Sequence, residues 1–153
     1  MTDPLATPVL LGEDIPDPVQ LVMNWLVPLA DSLAQVGMIR REDSPLPYWQ
    51  VSLISAVDVP WEGTCDADVS VHYMTDAREG VDADTLADRG GKLMHRRMLA
   101  LARDLEQDII IRGRAANVDW LETVERPAWR DYGDTAIARV KGVYRLGLSF
   151  VPL

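Results

Sequence analysis

The clearest pattern in the chain is a strict alternation near its end. Ala136, Ala138, Val140, Gly142, Tyr144, Leu146, Leu148 and Phe150 share one parity, while Arg139, Lys141, Arg145 and Ser149 take the other. A period of two with one dry and one wet side marks a half-buried strand. The same pattern predicts a strand over Tyr48 to Val57, where Trp49, Val51, Leu53, Ser55 and Val57 share a face and Ile54 breaks the alternation. It returns in Ala67 to Met74, where Ala67, Val69, Val71 and Tyr73 alternate with Asp68, Ser70 and His72. These two strands are expected to pair antiparallel around an unusually long tip, Asp58 to Asp66.

Helical periods occupy two other stretches. Asp17 before Pro18 is an N-cap and first-turn signal, and Val19, Val22, Met23, Leu26, Leu29, Ala30, Leu33 and Val36 follow at helical spacing until Gly37. Pro28 must kink or split that helix. From about Asp82 to Leu105 a second stripe runs through Leu86, Gly90, Met94, Met98, Leu101 and Leu105, with Lys92, Arg96, Arg97 and Arg103 largely off it. Gly90 and Gly91 each cost a helix about 1 kcal/mol relative to alanine, which predicts close packing there as compensation. A short apolar run, Ile109 to Ile111, and a segment from Asn117 to Glu125 precede the final strand. The expected fold is α+β in the order α-β-β-α-β-β-β, with two helices on one face of a mainly antiparallel sheet of four to five strands. Residues 1 to 16, with three prolines, read as an extended arm and 17 to 153 as a single domain.

Charge and composition narrow the function. With 24 acidic against 15 basic residues the net charge is -9, which disfavours general affinity for nucleic acid or anionic membrane. The single cysteine, Cys65, excludes an internal disulfide framework and fits a reducing compartment. The acid- and proline-bearing N-terminus does not read as a secretory signal, and no apolar run reaches membrane-spanning length.

Candidate chemistry is sparse. No phosphate loop, zinc-protease motif, nucleophile elbow or paired Cys-x-x-Cys occurs. Cys65, Asp66, Asp68 and His72 gather in TCDADVSVHY, yet their spacing is poor for a metal or a thiolate–imidazole pair. His95, within HRR, reads as a surface residue of a helix. DAREGVDAD lacks the pattern of a calcium loop and reads as a turn into a helix N-terminus. No catalytic, cofactor or metal residue is assigned.

The five tryptophans say more. Trp61, in the Asp58 to Asp66 tip, and Trp129, in an expected loop from Arg126 to Gly133, fall in polar segments punctuated by Pro and Gly, where aromatics anchor interfaces as often as they fold back over a sheet edge. With their neighbours Glu62, Arg130, Asp131 and Tyr132, and with Arg139, Lys141 and Arg145 on the wet side of the last strand, they form the candidate subunit interface.

The order of elements, the length, and the closing run RPAWRDYGDTAIARVKGVYRLGLSF over residues 126 to 150 resemble the tail terminator, or tail completion, proteins of long-tailed bacteriophages, particularly those of actinobacteria. The resemblance spans roughly residues 17 to 150 and implies a structural, non-enzymatic virion protein. It implies a hexameric ring at the tail-head junction, assembled in the host cytoplasm, which stops tail tube polymerisation and meets both the tail tube protein and the head-tail connector, or stopper. DNA would pass through its lumen without specific binding. A different connector or a tail tube subunit shares several of these traits, and a small enzyme or ligand-binding module would have to rest on Cys65, Asp68 and His72.

Overall fold

The structure is a computed structural model that describes residues 15–59, 61–78, 82–103, 108–131 and 133–151. The chain enters its first helix, α1 (Pro18–Leu26), as the sequence predicts: Asp17 Oδ1 accepts from the amides of Val19 at 3.0 Å and Gln20 at 3.3 Å. Pro28 splits the predicted continuation, because it can neither donate to the helix ladder nor fit against the preceding turn. A 3₁₀ turn over Val27–Leu29 follows, then a second over Leu33–Gln35 capped by Ser32. Leu33, read as a core residue, is therefore 73% exposed. The segment instead ends in a two-residue strand, β1 (Val36–Gly37), parallel to the next strand at Val36↔Trp49 and Gly37↔Gln50.

The remaining strands are β2 (Tyr48–Val59), β3 (Thr64–Asp76), β4 (Ile109–Ile111), β5 (Arg114–Arg130) and β6 (Ile137–Phe150), in the order β1-β2-β3-β6-β5-β4. The sheet thus has six strands, not four to five, and β1 makes it mixed; every other neighbour is antiparallel. Two connections are shorter than the sequence implied. The tip between β2 and β3 is residues 60 to 63, not 58 to 66, because the ladder continues through Asp58↔Cys65 and Val59↔Thr64. The loop expected from Arg126 to Gly133 is mostly strand: β5 runs through Arg130, with Trp129 opposite Val140 and Arg130 opposite Arg139.

Both helices lie on one sheet face, as expected. Leu21, Val22, Trp25 and Leu26 of α1, and Met94, Met98 and Leu101 of α2 (Ala83–Arg103), bury against Trp49, Val51, Val69, Val71, Tyr73, Val118, Tyr144, Leu146 and Leu148. The stripe of α2 is as predicted apart from Leu86, which is partly exposed, and Leu105, which lies outside the described residues. Its glycines sit where the sheet comes close: a Cβ on Gly90 would stand 2.0 Å from the Tyr73 ring, and one on Gly91 would stand 2.9 Å from Val140 Cγ1. Burial of Tyr73 and Val140 under α2 offsets the helix cost of the glycine pair. Of the predicted N-terminal arm, only Ile15 and Pro16 fall among the described residues.

β1 pairs with β2 only at Trp49 and Gln50, and β4 pairs with β5 only from Arg114 to Ala116. Beyond those residues no described strand covers either outer edge. Such open edges are usually blunted by irregularities, and both are: β2 bulges between Leu53 and Ser55, while β5 shifts register at three places, the last around Arg126 and Pro127. Proline is tolerated there because an edge strand needs no outward amide.

Candidate interaction surface

The two open edges carry most of the large apolar side chains that remain exposed. On β2 and its tip these are Leu53, Ile54, Val57 and Trp61; on β5 they are Trp120, Val124 and Trp129. Ile54, which broke the alternation in the sequence, is the bulge residue, and Leu53, opposite Val69 on the helix-side face, is left half exposed beside it. Trp61 is 85% exposed in a turn closed by the Glu62 amide donating to the Val59 carbonyl at 3.0 Å, with Gly63 at φ 66°. Trp129 is 52% exposed. It sits on a strand rather than a loop, which fixes its position more firmly than the sequence implied.

The polar residues named with the tryptophans divide into engaged and available groups. Arg130 forms an ion pair with Glu125 and donates to the Trp129 carbonyl at 2.9 Å. Asp131 Oδ1 accepts from the Gly133 amide at 3.1 Å, and its carbonyl accepts from Arg139 at 2.6 Å. Tyr132 lies outside the described residues. Arg145 spans to Asp68 with two bonds, Nε to Oδ1 at 2.7 Å and Nη2 to Oδ2 at 3.2 Å. That guanidinium holds the Asp68 carboxyl below its ordinary range. Lys141 is partly buried opposite His72. The basic row is therefore largely tied within the subunit, Arg145 above all.

The possible enzyme cluster comes apart on the strand. Cys65 belongs to β3 rather than a loop, and it shares parity with Ala67, Val69 and Val71 on the helix side, whereas Asp68 and His72 face the other way. Burial, then the neighbouring Asp58 carboxylate, pushes the Cys65 thiol up to about 12, which leaves it protonated and unreactive at neutral pH. His72 Nε2 lies 3.1 Å from Ser70 Oγ, and burial, with help from Arg139 and Lys141, lowers its pKa to about 4. Among the described residues no group of three His, Cys, Asp or Glu is placed to hold a metal ion, and no helix is long and apolar enough to cross a membrane.

His95 is a second correction. It is not a plain surface residue: its Nδ1 lies 2.8 Å from the Tyr144 hydroxyl, and burial followed by the nearby Arg126 charge lowers its pKa. With Gly91, Lys92, Pro127, Trp129 and Val140 it lines a groove between α2 and the end of β5. Sequence reading missed this groove. Its only local signals were the glycine pair and the proline before Trp129, and the two lie far apart in the chain.

No family model matches the chain, and no curated protein sequence matches it. Among solved structures, a chain of the virion of a native gene transfer agent particle aligns at 14% identity and a TM-score of 0.47, covering 91% of this chain and 91% of that one. A second solved chain aligns at 14% identity and a TM-score of 0.40, covering 87% of this chain and 89% of that one. Both superpositions are loose. Fold and surface together define a small helix-on-sheet α+β protein with apolar side chains exposed along two opposite sheet edges.

Proposed function

We propose that this protein works by assembly rather than catalysis, as a tail terminator of a long-tailed bacteriophage. In this reading it forms a ring, a hexamer as in the family it resembles, that caps the tail tube, stops its polymerisation and offers the opposite side to the head-tail connector at the tail-head junction. The observation that carries the reading is the pair of bulged, uncovered edges, β2 with Trp61 and β5 with Trp129, at opposite sides of one sheet. A contact between two different patches is heterologous, and it closes into a ring when the rotation permits. Buried aromatics at such a contact supply most of its energy.

Passage of DNA requires basic side chains to be paired or to lie off the lumen, because free arginines there would hold phosphate; Arg145 is paired with the Asp68 carboxylate, while Arg139 and Arg97 donate to the neutral Asp131 and Trp25 carbonyls and keep their charge. The test is electron microscopy and native mass measurement of the purified protein with and without tail tube protein, followed by tail-length measurement in a phage lacking it. Closed rings and tails of restored, uniform length support the reading. A monomer at assembly concentrations, with no ring on tails, overturns it.

A further inference from the structure

The groove between α2 and β5 has a volume of about 440 Å³, with Gly91 and Val140 at its floor and His95, Pro127 and Trp129 at its walls. Its floor is apolar and shallow because α2 approaches β6 too closely for a side chain at position 91. Its charged lining is Asp84, Asp88, Lys92 and Arg126. Lys92 is 2.9 Å from Asp88, and Arg126 has no salt-bridge partner among the described residues.

We infer that this groove receives the Trp61 tip of a second copy of the chain, and that this contact is what closes the ring. The inference rests on the ring proposed above and names its interface. Three observations select the occupant. Trp61 is the most exposed large apolar residue described, and an indole suits a groove of this size with an aromatic wall in Trp129. The hairpin from Tyr48 to Asp76 contains no Lys or Arg, and Asp58, Glu62 and Asp66 surround its tip; in the groove Lys92 is held by Asp88 and Arg126 stands with Asp84, while the positive surplus of α2 lies beside the groove, at Arg89, Arg96, Arg97 and Arg103. An acidic tip meeting a basic helix favours this pairing over tip to tip, where like charges would face each other.

Placement is the third observation. The tip leaves the sheet where Thr64 pairs with Ser149, and the groove lies by Val140, toward the other end of β6. Tip and groove do not overlap, so every copy can offer one and fill the other. Equal heights along a ring axis then require the diagonal from tip to groove to run around the circumference, with the strands inclined to the axis. The bulges at Ile54 and around Pro127 favour docking of side chains over pairing of strand edges.

The experiment crosslinks the assembled protein. A Glu62→Cys, Arg126→Cys double variant is assembled and treated with a short bismaleimide; Cys65, at 1% exposure, stays out of the reaction. A covalent ladder up to the full ring is expected from the double variant and none from either single variant. In parallel, Trp61→Ala should raise the concentration for half-assembly by about 30-fold or more, as loss of a hot spot does, without moving the thermal midpoint. Rings that form normally in Trp61→Ala, or that give no ladder in the double variant, overturn the tip-in-groove contact and leave the ring reading standing. A parent protein that forms no ring, alone or on tubes, overturns both.

Discussion

Trp25 and Arg97 bind each other reciprocally. The indole Nε1 donates to the Arg97 carbonyl at 2.6 Å, the guanidinium Nε donates to the Trp25 carbonyl at 2.7 Å, and the guanidinium carbon lies 3.6 Å from the centre of the indole ring. Few other contacts join α1 to α2, so this pair sets how the two helices share the sheet face. Arg97→Ala removes a charge-assisted hydrogen bond and a cation–π contact, and should cost about 2 kcal/mol in urea unfolding. Arg97→Lys should recover only part of it, since an ammonium cannot keep the planar stack and the bond together.

Gly90→Ala tests the closest helix–sheet approach. At an open helix position that change would stabilise by about 1 kcal/mol. Here the new methyl would fall 2.0 Å from the Tyr73 ring, which is wedged between sheet and helix. A net loss of about 1 to 3 kcal/mol is expected. Gly91→Ala should cost less, because only one methyl, Val140 Cγ1 at 2.9 Å, has to shift, against three ring atoms of Tyr73 within 2.6 Å at Gly90. Thermal melting of the two variants side by side checks the order.

Trp61→Ala and Trp129→Ala should separate folding from assembly. Trp61 touches little within its own subunit, so its removal should shift stability by no more than about 0.5 kcal/mol. Trp129 lies beside Val140 and is half covered, so about 1 kcal/mol is expected there. Both should leave tails abnormal in length or unjoined to heads in complementation. Large drops in melting temperature would place these side chains in the core instead, and normal joined tails would remove them from any interface.

His72 should make the protein acid-sensitive in a defined window. Its folded pKa is lowered to about 4 from an ordinary 6.5, so the unfolded chain takes up the proton first as pH falls. Its contribution to stability is complete above pH 6.5 and is lost progressively toward pH 4. His72→Gln should flatten the stability profile over that interval. The Asp68–Arg145 pair has a lowered carboxylate pKa, so its contribution persists through this window and fades only at still lower pH.

Elements whose burial is one-sided and local are legible in the chain's own pattern. β3 and β6 announced their faces by parity, α1 its start by Asp17 and Pro18, and α2 its buried stripe by Gly90, Met94, Met98 and Leu101, because each period is set by backbone geometry within a few residues. That pattern also singled out Trp61 and Trp129 as aromatics away from the core. Tertiary structure alone decided what lies beside what. Pro127 reads as a strand breaker until β5 proves to be an edge, where a missing amide costs nothing and Trp129 can still sit opposite Val140. Cys65 reads as a loop neighbour of His72 until the β2–β3 ladder extends to Thr64 and turns the two toward opposite faces. The groove from Gly91 to Trp129 has no periodicity to betray it. It exists because α2 and β5 approach β6 from different directions, and contacts between residues so far apart in the chain are set by packing rather than by local spacing.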